Sequence, residues 1–149
     1  MTDTSEAEDA FKNRCAHGAR TLARCVGYFV HRIAFDAFPD DDALEITLRD
    51  GPHEPDVLIS LSGVRYVSVA KGADLHGFVD DACLIHLPKM PHAWPDEAVG
   101  MVGRFGGLPE LAWLRIVGPV EVDVVASVVT VYSATSDDEA SAGAGQADT

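Results

Sequence analysis

Residues 111–132 read LAWLRIVGPVEVDVVASVVTVY, and this stretch decides the fold class. Two apolar, valine-rich runs flank a Gly-Pro dipeptide at 118–119, which predicts an antiparallel β-hairpin. In the second run Val122 points to the interior and Glu121 to solvent, because side chains alternate along a half-buried strand. The apolar positions shift near Ala126, which predicts a bulge there or burial on both faces.

Further strands precede this hairpin. Residues 44–49 and 57–69 alternate apolar and polar side chains, and Gly63 interrupts the second run as a glycine bulge would. Residues 82–87 predict a short strand, whereas 28–38 are compatible with strand or helix. Six or seven strands joined mostly by short turns predict a mainly β fold, either an antiparallel β-sandwich or an open barrel.

An amphipathic helix is predicted over residues 6–26. Ser5 and Glu8 have the spacing of a capping box, and apolar side chains then recur every three or four residues. Four basic residues lie off this apolar stripe, and the simplest interpretation is a solvated helix face. They are Lys12, Arg14, Arg20 and Arg24. A proline-first, acid-rich segment at 95–104 predicts a short second helix.

Length and charge limit the classes of protein to which this chain can belong. The 149 residues suit one domain, and 24 acidic against 11 basic residues give a net charge of −13. Eight of the acidic residues lie in residues 1–9 or beyond 134. Without them, 16 acidic and 11 basic residues remain, which gives a net charge of about −5. This balance argues against nucleic-acid binding and indicates an acidic, soluble protein.

The composition also suggests where the folded domain begins and ends. We expect a disordered N-terminus at 1–5, a single β-rich domain at 6–133 and a disordered acidic tail at 134–149. The first residues do not resemble a secretory signal, and no apolar run is long enough to span a membrane. The three cysteines are widely spaced, which suits a reduced, cytoplasmic setting.

Six histidines raise the question of a metal site. Zinc needs three or four converging ligands, generally from closely spaced pairs. Cys83 and His86 are three residues apart, which on a strand places them on opposite faces, and the sequence has no second pair. We therefore predict no metal and no cofactor. Were a metal bound, its ligands would come from four histidines: His53, His76, His86 and His92.

The sequence contains no clear nucleophile motif. The segment 60–63, Ser-Leu-Ser-Gly, lacks the leading glycine of a nucleophile elbow and lies within a predicted strand. Cys83 with His86 or His92 would act as a thiolate–imidazole pair only if the fold brought them within hydrogen-bond reach. A buried core thiol is the simpler interpretation of Cys83. Catalytic residues therefore stay unassigned.

Aromatic and basic side chains offer a candidate binding surface. Trp94 lies in a proline-rich loop, and Trp113 and Arg115 lie on one predicted strand. Trp and Arg are typical interface anchors, so these three residues are predicted to bind a partner protein. The alternative for Trp94 is that it caps the open end of the core.

Residues 57–69, VLISLSGVRYVSV, and the closing strand pair at 113–131 resemble small actinobacterial proteins of unknown function. In layout the chain is also similar to the β-rich immunity proteins of polymorphic toxin systems, in particular the immunity-protein-fifty family. The resemblance covers about residues 44–132 and leaves out the N-terminal helix. It implies a non-enzymatic protein that binds a partner protein.

Two function classes stay open. The first is a non-enzymatic protein-interaction module, such as an immunity-like or accessory protein that neutralises or scaffolds a partner. The second is a small hydrolase or ligand-binding β-barrel that uses the loop histidines. Neither class has nucleic acid or a membrane as its partner, and a homo-oligomer is compatible with both.

Overall fold

In the computed structural model of the chain, residues 2–37, 42–50, 56–72 and 77–133 are described. The predicted acidic tail at 134–149 lies outside the described residues. The elements, in chain order, are α1 (Thr2–Ala23), β1 (Phe29–Ala37), β2 (Asp42–Arg49), β3 (Val57–Lys71), β4 (Asp81–Leu87), α2 (Asp96–Met101), β5 (Leu111–Val117) and β6 (Val120–Ser133).

All six described strands form one antiparallel sheet, in the order β1-β2-β3-β6-β5-β4. Just before β4, Val79 accepts a hydrogen bond from the Gly27 amide at 2.9 Å and donates one to the Tyr28 carbonyl at 2.6 Å. The segments preceding the two edge strands therefore meet, and the sheet is curved. The mainly β class is confirmed. The described strands form one curved, open sheet, without the second sheet that a sandwich requires.

The hairpin that decides the fold class is present as predicted. Val122 is fully buried and Glu121 is exposed, so the predicted register is correct. Residues 124–126 are all buried. The side chains of Val124 and Ala126 pack in one core cluster, and the side chain of Val125 packs in a second, smaller one. The irregularity lies in the partner strand β3, where Gly63 has a φ of +63° and the pairing shifts register just after it.

Helix α1 differs from its prediction at both ends. It begins at Thr2 rather than at residue 6, so residues 2–5 belong to the helix. The predicted capping box is wrong, because a residue inside the helix, such as Ser5, cannot act as its N-cap. Acidic side chains are favourable near a helix N-terminus, which favours the longer helix. The helix ends at Ala23, and Gly27, with a φ of +94°, redirects the chain into β1.

The structure also defines one segment that the sequence left undecided and shortens one predicted helix. Within residues 28–38, which are compatible with strand or helix on sequence, Phe29–Ala37 form the edge strand β1. Helix α2 is shorter than the predicted 95–104, because Val102 already has an extended conformation with φ −126° and ψ 123°.

The curved sheet is covered on both faces. Helix α1 packs against β4 and β6 on the inner face. The segment that contains α2 packs on the outer face through a smaller cluster, which includes Leu87, Trp94, Ala98, Leu108, Leu111, Trp113 and Val125. The larger inner cluster stabilises the fold, and the smaller outer cluster fixes the long connection between β4 and β5.

Candidate functional site

The loop between β4 and α2 is held in place by an indole and a guanidinium. Trp94 is buried, and its Nε1 donates a hydrogen bond to the Pro88 carbonyl at 2.6 Å. The Arg104 guanidinium lies 4.6 Å from the centre of the Trp94 ring. Arg104 also donates to the carbonyl groups of Pro88, at 3.2 Å, and of His92. These contacts give residues 88–94 a defined conformation.

Trp113 and Arg115 lie on the outer face of β5. Trp113 is 3% exposed, and its Nε1 donates to Asp123 Oδ1 at 2.9 Å. Arg115 is partly exposed and forms an ion pair with Glu97 at 2.7 Å. Both indoles are buried in the core, so neither ring of Trp94 or Trp113 is presented at the surface. Of the three predicted partner-binding residues, Arg115 alone presents its polar group at the surface.

The structure brings two of the four candidate histidines together. His86 and His92 line one cleft with Asp9, Lys12 and Pro88, and the cleft has a volume of about 270 Å³. The other two, His53 and His76, lie outside the described residues. Among the residues that are described, no three His, Cys, Asp or Glu side chains are grouped so that they could hold a metal ion.

His86 is fixed from two sides. Its Nε2 lies 2.7 Å from Glu110 Oε2, and both side chains are mostly buried. On the other side, the Phe11 ring of α1 lies 5.5 Å from the imidazole, centre to centre. Glu110 was not singled out by the sequence, because an isolated carboxylate before a strand gives no signal of its partner.

The thiols are not arranged as activated nucleophiles. Burial, together with the smaller effect of the nearby Glu110 charge, raises the pKa of Cys15 to about 11, so the group stays a thiol at neutral pH. Cys83 pairs in register with Arg115 on the outer face, whereas His86 contacts Phe11 on the inner face. The prediction that Cys83 and His86 face opposite sides of the strand is confirmed. Cys83 is half-buried rather than a core thiol.

A second concave surface lies between α1 and the end of β6. Its apolar lining is Gly18 of α1 with Val129 and Val131 of β6, and its volume is about 300 Å³. Its polar lining is Asn13, Arg14, His17 and Thr130. We call this concavity the α1–β6 groove.

Gly18 sets how closely α1 approaches the sheet. A Cβ at this position would lie 2.8 Å from Leu84 Cδ2 and 3.1 Å from Val131 Cγ2, closer than carbon atoms normally pack. A glycine on the buried side of an amphipathic helix is therefore the feature of the sequence that could have indicated this groove.

The outward side of α1 beside the groove is basic. Arg14, His17 and Arg20 are three residues apart, so they share one face of α1, and Arg24 lies in the turn directly after the helix; all four are exposed. Among the described residues, no carboxylate forms an ion pair with any of them. Residues 12–24 contain no acidic residue. We call these four side chains the basic face of α1.

No protein-family model matches the chain, and neither a curated protein nor a solved structure does. The resemblance to the immunity-protein-fifty family therefore stays a prediction. None of the helices in the described part of the chain is long and apolar enough to cross a membrane.

Proposed function

We propose that this protein is a non-enzymatic protein-interaction module that binds an acidic, partly apolar segment of a partner protein in the α1–β6 groove. The observation that carries the proposal is an apolar groove beside an unpaired basic face in a chain with a net charge of −13. Two other arginines of the chain, by contrast, are matched with carboxylates: Arg49 with Asp56 at 3.0 Å and Arg115 with Glu97 at 2.7 Å.

The end of β6 supports an extended bound segment. Strand β5 pairs with β6 only as far as Ala126, so among the described strands the remainder of β6 pairs with β3 alone. Backbone groups on the side away from β3 are therefore placed to pair with an added strand. Apolar side chains of that strand would cover Val129 and Val131, which are only half-buried, and burial of apolar surface favours association.

The charge distribution of the chain favours an acidic protein segment over a nucleic acid or an anionic membrane as the bound partner. Acidic side chains on the partner segment would meet the basic face of α1, and complementary charge speeds association and selects the partner. A nucleic acid or an anionic membrane would also meet this face, but an acidic body repels an extended polyanion at long range. Neither would use the apolar lining of the groove as well as a peptide does.

The biological role that fits this binding mode is that of an immunity-like or accessory protein. Such a protein acts by covering a surface of its partner, and the resemblance of residues 44–132 to the immunity-protein-fifty family supports that role.

A site-specific photo-crosslinker tests the proposal. Asn13 lines the groove and is exposed, so a benzophenone side chain at this position should capture the bound segment in the native host. The crosslinked peptide should come from one protein and should be acidic with apolar residues between the charges. A crosslinker at the exposed Val99 of α2 is the control, and it should not capture that peptide. Crosslinks to a second copy of this chain, to its own residues 134–149 or to lipid would contradict the proposal.

A further inference from the structure

We propose that the cleft lined by Lys12, His86 and His92 binds a small oxyanion, that is, the phosphate or carboxylate group of a small molecule. This cleft uses residues of α1, β4 and the following loop that do not line the α1–β6 groove. The inference therefore stands independently of the proposed protein partner.

Two cationic or polar donors enter this cleft without a partner of their own. Neither Lys12 nor His92 forms a side-chain ion pair or hydrogen bond with another described residue. A lysine ammonium offers three donors and no acceptor, and an imidazole offers at least one donor. Charge-assisted hydrogen bonds from such donors to an oxyanion are among the strong ones in proteins.

One imidazole of the site, and the loop backbone that carries the other, are held in place before a ligand arrives. Glu110 holds His86 at 2.7 Å and the Phe11 ring lies against it, so this imidazole has a fixed position. The Glu110 charge is directed at His86 Nε2. Arg104 bonds to the carbonyl of His92, so the loop carrying the second imidazole is also fixed. A preorganised site loses less conformational entropy when it binds a ligand.

The lining selects an anion over a metal ion, and a small ligand over a large one. The Lys12 ammonium repels a metal cation, and no described group of three ligands is available to hold one. A volume of about 270 Å³ lies just below the range of roughly 300–1,000 Å³ that drug-sized ligands occupy. Asp9, also in the lining, opposes an anion, so its removal should strengthen binding.

Nuclear magnetic resonance of the full chain tests this site with two probes, inorganic phosphate and acetate. Each is titrated at constant ionic strength, with chloride as the balancing anion, while the imidazole C–H resonances of His86 and His92 are followed. The expected result is a saturable shift of both histidines with at least one probe. Phosphate alone, acetate alone or both would assign the oxyanion class.

Substitutions of three exposed residues test whether the probe binds in this cleft. Lys12→Gln should weaken binding roughly tenfold or more, the loss expected for one charge-assisted hydrogen bond. Asp9→Asn should tighten binding. Lys71→Gln is the same substitution at an exposed residue of β3 that does not line the cleft. It should leave the affinity within about twofold, because surface charges at a distance are screened by salt. Absence of saturable shifts with both probes, or equal weakening by Lys12→Gln and Lys71→Gln, would overturn the proposal.

Discussion

The two halves of β6 have the same valine-rich character but different surroundings. In the near half, residues 120–126, the side chains of Val122 and 124–126 are fully buried. In the far half, residues 128–133, Val128 is 51% and Tyr132 37% exposed. The difference follows from coverage: β5 pairs with the near half only and stops at Ala126.

This difference indicates that hydrophobicity along one strand serves two purposes. Where β3 and β5 flank the strand and both faces are covered, the valines stabilise the fold. Where only β3 flanks it and α1 leaves a groove, we propose that the valines bind a partner. The following substitutions test whether the two halves of β6 differ in this way.

A charge in each half should have unequal effects on stability. Val122→Asp places a carboxylate among apolar side chains of the near half, and we expect a loss of several kcal/mol in the free energy of unfolding. Val131→Asp changes a half-buried residue of the far half, where water solvates the carboxylate, and we expect at most roughly 2 kcal/mol. Urea denaturation measures both. Equal losses would show that the far half belongs to the stabilising core.

The pH dependence of unfolding above pH 9.0 should report on the two buried thiols of the inner core. Burial raises the pKa of both Cys15 and Cys25 from 9.0 to about 11. Because the pKa is higher in the folded state, this contribution to stability is complete below pH 9 and is lost as the pH rises toward 11. The loss should approach roughly 3 kcal/mol per thiol.

Denaturation of the Cys15→Ala/Cys25→Ala variant is the matched control for this pH effect. The variant should be less stable at pH 8, because two buried sulfur atoms are removed, but its stability should fall less steeply above pH 9 than that of the parent protein. Parallel curves for the two proteins would mean that these thiols are not buried together in the interior.

A larger side chain at Gly18 should disturb the contact between α1 and the far half. Gly18→Leu forces the helix away from Leu84 and Val131, and overpacking of this kind destabilises by about 1–3 kcal/mol. Gly100→Leu in α2, where the same Cβ would meet nothing within 4 Å, is the control and should not destabilise. Thermal unfolding compares the two variants. If Gly18→Leu had no effect, α1 would not approach the sheet as closely as described.

The smallest effect is expected on the solvent side of the near half. Glu121 is exposed, and Glu121→Ala should change the free energy of unfolding by less than about 0.5 kcal/mol in urea denaturation. A loss comparable to that of Val122→Asp would place Glu121 in the interior and invalidate the register of β6.

The sequence predicted best those elements whose local pattern agrees with their environment. Strand β2 alternates buried Leu44, Ile46 and Leu48 with polar residues, and the structure has the same alternation. Strand β1 was undecided because Phe29–Ala37 lacks that alternation, and its conformation is fixed by pairing with β2. The start of α1 was wrong because a capping-box spacing also occurs by chance inside an acidic helix.

The candidate site was harder to predict because it depends on contacts between distant segments. The burial of Trp94 is set by the Pro88 carbonyl and by Arg104, sixteen residues away from each other. The pairing of His86 with Glu110 likewise joins residues 24 positions apart. No local sequence pattern predicts contacts between residues so far apart in the chain. The sequence therefore indicated the histidines as candidate site residues but not the residues that they contact.

Quantitative co-purification from the native host tests whether the far half of β6 binds a partner rather than stabilising the fold. Three tagged chains are compared: the parent protein, Val131→Asp in the groove, and Val128→Asp, an exposed residue of the same strand outside the groove lining. We predict one stoichiometric protein partner with the parent and with Val128→Asp, and its loss from a still folded Val131→Asp. Recovery of the same partner with all three chains, or of none with the parent, would contradict the claim.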